Sequence, residues 1–234
     1  MEDAFQKLTW TDDETGITMG YRLFVPADYT PATSWPLVLL LHGAGESGSD
    51  NEAQIVSYQG ATVWAKPAEQ ARHPCFVLAP KNPKVHGAFT LSPYGNRGWT
   101  SLLSRGFGSP YHGEAPLAAA YNLLRKVMGE YSIDADRLYA TGLSTGGFGV
   151  FALGATHPDA FAGIVSVCGG LDPALHRAPE WDPLHRLLGP QLLGACLCRC
   201  RDAGLAVRPA QGHPLAARFA AICSQETTFQ NAVT

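Results

Sequence analysis

The chain predicts an α/β protein, a mostly parallel sheet with helices on both faces and no large lid domain. Three observations lead there. Trp35-Pro-Leu-Val-Leu-Leu-Leu41 is a continuous apolar run bounded by a proline, as expected of a strand covered on both faces. Arg137-Leu-Tyr-Ala-Thr141 is a second β-prone run; it passes through Gly142-Leu-Ser-Thr-Gly146 into Gly147-Phe-Gly-Val-Phe-Ala-Leu153, which turns apolar as a buried helix does. Around these runs strand-like and helix-like segments alternate, the order that produces a parallel sheet flanked by helices.

The elements follow in sequence. Ile17 to Pro26 shows rough alternation and reads as a strand, and Leu37 to Leu41 is the buried one. Asn51 to Arg72 reads as mostly helical, with Ser49 or Asp50 as its N-cap. Phe76 to Ala79 is another buried strand. Residues 81–112 carry many Gly, Pro, Ser and aromatic residues without a steady period, and read as a long loop. Glu114 to Tyr131 sets Leu117, Tyr121, Leu124 and Met128 on one helical face, so this helix packs against the sheet. Leu138 to Gly142, a helix through Phe151, and Ile164 to Cys168 complete the alternation. With no internal repeat or linker, the 234 residues are expected to form a single domain, 1–234, whose part from about 175 is divergent.

Strand, G-x-S-x-G turn and helix together make a nucleophile elbow. Ser144 must sit on a cramped turn with strained backbone angles, and side chains at Gly142 or Gly146 would collide with the neighbouring strand and helix. Acyl transfer places negative charge on the former carbonyl oxygen, so a serine nucleophile needs N–H donors aimed at it. The loop His42-Gly-Ala-Gly-Glu-Ser-Gly-Ser-Asp-Asn51, at the end of the buried strand, is rich enough in glycine to turn its amides inward. The expected donors are the amides of Ala44 and Thr145, with His42 and Gly43 beside the substrate.

Tyr21-Arg-Leu-Phe-Val-Pro26, Leu41-His-Gly-Ala-Gly45 with Asp50-Asn51, Phe76-Val-Leu-Ala-Pro80, Ile133-Asp134 to Gly149, and Val167-Cys-Gly-Gly170 with Asp172-Pro173 carry a family resemblance. Together they resemble the α/β-hydrolase fold. Within it they look like bacterial carboxylesterases related to polyhydroxybutyrate depolymerases, feruloyl esterases and predicted serine peptidases. The resemblance covers roughly residues 15–175. It implies a triad in the chain order Ser, then Asp or Glu, then His. Of the histidines after residue 170 (His176, His185 and His213), Gln211-Gly-His213 resembles the Gly-His that carries the family's base. For the acid, Asp182 in Pro179-Glu-Trp-Asp-Pro183 falls near the family's position, and Asp172, after the sixth strand, is the alternative. Such an acid holds the imidazole tautomer and stabilises the imidazolium.

Topology sets other candidates aside. Sites in open α/β sheets lie beyond the C-terminal ends of the strands, so Asp134 and Asp136, which precede the elbow strand, read as turn residues at the opposite rim. His157 reads as a surface or capping residue at the end of the elbow helix, and His73 merely precedes a strand.

Composition bounds partners. Charged residues are 16% of the chain and the formal net charge is -3. No basic cluster interleaves with aromatics, which argues against a nucleic-acid partner, and no apolar run is long enough to span a bilayer. The acidic, polar start lacks the pattern of a signal peptide, so a cytoplasmic location is expected of this chain, short of a longer, secreted precursor. Cys196, Cys198 and Cys200 alternate at a spacing unlike that of zinc pairs, and no metal site is expected. The resemblance implies a serine carboxylesterase acting on short-chain or aromatic esters through an acyl-enzyme on Ser144, with no cofactor. Trp99 and Tyr111 would supply an aromatic pocket. A polyester depolymerase, a serine peptidase, or an impaired relative acting as a binding protein are the alternatives.

Overall fold

The protein is described from a computed structural model, in which residues 1–83, 99, 115–157 and 159–167 are described. Among these, six strands form one sheet: β1 (Gln6–Thr11), β2 (Thr18–Phe24), β3 (Trp35–Leu41), β4 (Phe76–Pro80), β5 (Ile133–Leu143) and β6 (Gly163–Val167). Their order is β1-β2-β4-β3-β5-β6. β4, β3, β5 and β6 run parallel, and β2 and β1 are antiparallel additions at one side. The helices are α1 (Ala53–Val56), α2 (Pro67–Gln70), α3 (Ala115–Glu130) and α4 (Thr145–Thr156). This is the mostly parallel sheet that the alternation of segments predicted, in the α/β-hydrolase arrangement that the family resemblance implied.

The apolar run of β3 is buried on both faces because alternate side chains serve different layers. Leu37, Leu39 and Leu41 pack into a core shared with Leu117, Leu123 and Leu124 of α3 and with Val150 and Phe151 of α4. Val38 and Leu40 face the other way, onto Ile55, Ala61 and Trp64. Each leucine so buried contributes about 1.5–3 kcal/mol of transfer free energy. On α3 the buried face is wider than the expected one: Leu117, Ala120, Leu124 and Val127 form its centre, while Tyr121 and Met128 pack at its margin.

Three local readings change. Residues 51–72 do not form one helix but two single turns, α1 and α2, joined by turns. Gly60 interrupts the pattern, and Pro67, which offers no N–H, can begin a helix but not continue one. The N-cap position of α1 is Glu52 rather than Ser49 or Asp50, but Asp50 Oδ1 accepts the N–H groups of Glu52 and Ala53 at 2.7 and 2.8 Å just before the turn. The strand before the elbow is longer than expected, starting at Ile133, and is irregular where Trp35 pairs with Ile133 but Leu37 pairs with Leu138. Pro36 cannot donate to the ladder there. Asp134 holds the bulge by accepting Asp136 N–H at 3.0 Å and pairing with Arg137. The third change is β1, an edge strand on which only Leu8 and Trp10 are partly covered. Its sparse apolar content gives no sequence signal.

Cys75 lies fully buried just before β4, where burial pushes its thiol up to about 12, and it behaves as a small core residue. His157 is the C-cap residue of α4 and stacks on Tyr121 at 3.6 Å; burial first, then the Arg125 charge, lowers its pKa. Among the described residues no helix is long and apolar enough to cross a membrane.

Candidate active site

Ser144 stands between the C-terminal end of β5 and the first residue of α4, with φ 54° and ψ −114°. A non-glycine residue there is strained by about 1–3 kcal/mol, which the surroundings must hold in place. They do so by contact on both sides. A Cβ on Gly142 would come within 2.3 Å of the Gly146 carbonyl oxygen, and one on Gly146 within 1.9 Å of the Leu41 carbonyl oxygen. The Ser144 N–H is fixed to the Val167 carbonyl at 2.7 Å, so β6 anchors the turn as well. The result is a half-buried serine at the C-terminal rim of the sheet.

The loop after β3 lies against this corner. A Cβ on Gly43 would be 3.9 Å from the Ser144 Cβ. Ala44 opens a short 3-10 turn, Ala44–Glu46, and Thr145 opens α4, so both amides are at positions where helices leave N–H groups without intrahelical partners. Neither donates to a backbone acceptor among the described residues. Thr145 itself is buried, and its hydroxyl has no hydrogen-bond partner among the described residues.

His42 shapes the loop from beneath. Its Nε2 accepts the Asn82 backbone N–H at 2.9 Å, so the ring proton sits on Nδ1, which donates to the Gly43 carbonyl at 2.7 Å. Burial, aided by the Lys81 charge, lowers its pKa to about 4, against the Gly43 hydrogen bond and Asp50, which favour the cation. Gly48 N–H donates to the Asn82 carbonyl at 3.0 Å, and Asp50 pairs with the buried Lys81 at 3.0 Å. Residues 81–82 at the end of β4 thus hold the loop at three points.

His42 and Trp99, both expected beside the substrate, stand beneath the loop. His42 is fully buried with both ring nitrogens engaged by backbone groups. Trp99 is also fully buried, donating its indole N–H to the His42 carbonyl at 2.9 Å and packing beside Gly149. Both rings support the loop from inside. Gly43 does lie beside the nucleophile. Tyr111, Asp172, Asp182, His213, Cys196, Cys198 and Cys200 lie outside the described residues. Asp134 and Asp136 stand at the far rim, as the topology requires. Asn82, Lys81 and Glu46 were missed, although the rule that sites gather at strand C-termini points to the residues just after β4.

The family described as putative esterase matches residues 13–217. The chain belongs to this family. It is similar to poly(3-hydroxybutyrate) depolymerase of Ralstonia pickettii, with 30% identity over 162 residues, covering 67% of this chain and 30% of that protein. It is also 30% identical over 135 residues to poly(3-hydroxyalkanoate) depolymerase C of Paucimonas lemoignei, covering 58% of this chain and 28% of that one. The chain thus spans less than a third of the length of these depolymerases. Among solved structures, a thermostable esterase superposes with a TM-score of 0.67 at 40% identity, over 78% of this chain and 44% of that one. The chain thus shares its family with putative esterases and its fold with a solved esterase.

Proposed function

We propose that the protein hydrolyses short-chain or aromatic carboxylic esters through an acyl-enzyme on Ser144. The observation that carries this reading is the strained backbone of Ser144, with φ 54°, set beside Gly43 in a chain of the putative esterase family. His213 removes the hydroxyl proton as the serine oxygen attacks the ester carbonyl, and Asp182 orients the imidazole, with Asp172 as the alternative acid. The amides of Ala44 and Thr145 receive the oxyanion. The tetrahedral intermediate collapses, the alcohol leaving with the proton returned by His213. Water, deprotonated by the same histidine, then attacks the acyl-enzyme and releases the carboxylic acid.

The test is hydrolysis of p-nitrophenyl acetate and butyrate by the purified protein, beside Ser144→Ala and His213→Ala. Both variants are expected to lose activity by orders of magnitude, and a fluorophosphonate should label the wild type but not Ser144→Ala. Wild-type protein that neither turns over ester nor takes the label refutes the reading. Of Asp182→Asn and Asp172→Asn, the true acid should lower kcat by orders of magnitude, since the imidazole then adopts the wrong tautomer.

A polyester is the second substrate class. It is favoured by the two depolymerases that match this chain at 30% identity. Release of soluble 3-hydroxyacids from amorphous polyhydroxybutyrate would distinguish it from simple esterase activity.

A further inference from the structure

We propose that Glu46 sorts the substrates of Ser144 by charge, favouring esters that are neutral or cationic beside the scissile bond and disfavouring those with a carboxylate there. The proposal rests on the serine-esterase reading above. The point where a Cβ on Gly43 would stand is 2.9 Å from Glu46 Oε2, 3.9 Å from the Ser144 Cβ and 3.6 Å from the Leu143 carbonyl oxygen. Carboxylate and nucleophile therefore flank one small space, and Gly43 keeps it open by having no side chain. A substrate group bonded to the reacting carbonyl must come close to it.

The loop carries a second acid, and the contrast is informative. Asp50 is compensated: Lys81 pairs with it at 3.0 Å and the amides of Glu52 and Ala53 cap it. Glu46 is half-buried, and among the described residues no lysine or arginine pairs with it. A carboxylate that no described cation pairs with keeps its field directed at whatever occupies the neighbouring space. A second charge roughly 7–10 Å away, in partly screened surroundings, changes a rate by about tenfold or more. Through Leu143 the backbone adds a partial negative charge of the same sign. Both repel an anionic acyl chain and attract a cationic one.

The test compares kcat/KM for three 4-nitrophenyl esters of similar length: the butyrate, the hemisuccinate and the 4-(trimethylammonio)butyrate. Wild type, Glu46→Gln and Glu46→Lys are assayed, and ratios between substrates cancel any general loss in a variant. In Glu46→Gln the hemisuccinate-to-butyrate ratio should rise about tenfold and the ammonio-ester ratio should fall; Glu46→Lys should shift both further. High salt, about 0.5 M, should shrink these differences, because a field is screened and a change of shape is not. Ratios that stay unchanged in both variants, or that change without salt dependence, overturn the proposal and leave the esterase reading standing. Wild-type protein that hydrolyses none of the three and resists a fluorophosphonate takes both readings down together.

Discussion

Gly146 backs onto the carbonyl of Leu41 so closely that a Cβ would sit 1.9 Å from its oxygen and 2.7 Å from that of His42. Both obstacles are backbone of the central strand and its exit, and neither can move without opening the parallel ladder to β5. Gly146→Ala should therefore destabilise the protein by at least ~3 kcal/mol, among the larger effects of a single methyl. Urea denaturation, or loss of soluble protein on expression, measures it. A change below about 1 kcal/mol would show that the elbow is looser than described.

Ser144 offers the converse experiment. Its φ of 54° suits glycine better than any residue with a Cβ. Ser144→Gly should be more stable than Ser144→Ala by about 1 kcal/mol, and both should lack ester hydrolysis. Thermal unfolding of the two variants decides it, because they share the loss of the hydroxyl and differ only in backbone freedom.

His42 predicts a pH dependence. Its folded pKa is lowered to about 4, below the ordinary value of 6.5, so the unfolded chain binds the proton more readily. Stability then falls as pH drops from about 6.5 towards 4, by up to about 1.4 kcal/mol per pH unit from this group. Above 6.5 its contribution is constant. Denaturation measured between pH 4.5 and 7.5 on wild type and His42→Asn should show the slope in the first and a shallower one in the second. Equal slopes would assign the effect to other groups.

Asp50 also loses its stabilisation on acidification, but over a lower pH range. Burial acts to raise its pKa, but the Ala53 amide, the Lys81 ammonium and the Glu52 amide together hold the carboxyl well below the usual range. Its stabilisation is present above the unfolded pKa near 4 and is lost as pH falls towards the folded value. Wild type should exceed Asp50→Asn in stability at pH 7, and the gap should narrow below pH 4. Parallel curves down to pH 2.5 would contradict the ion pair.

Much of the architecture was legible because its signals are local. The apolar run Leu37 to Leu41, bounded by Pro36, reads as a strand buried on both faces, and glycines at 142 and 146 around Ser144 already describe a turn with no room for side chains. The elbow follows from those residues alone, whereas the family rests on resemblance over segments from Tyr21 to Pro173. What the sequence could not supply were properties that depend on neighbours remote in the chain. His42 reads as a free imidazole beside a cleft until Asn82, forty residues on, takes its Nε2 and Trp99 covers its carbonyl. Glu46 and Asp50 look alike as loop acids. Only the fold tells them apart, by bringing Lys81 to Asp50 and the Ser144 corner near Glu46. A residue type fixes which bonds a side chain can make, but packing decides which partners arrive and how much water stays between them.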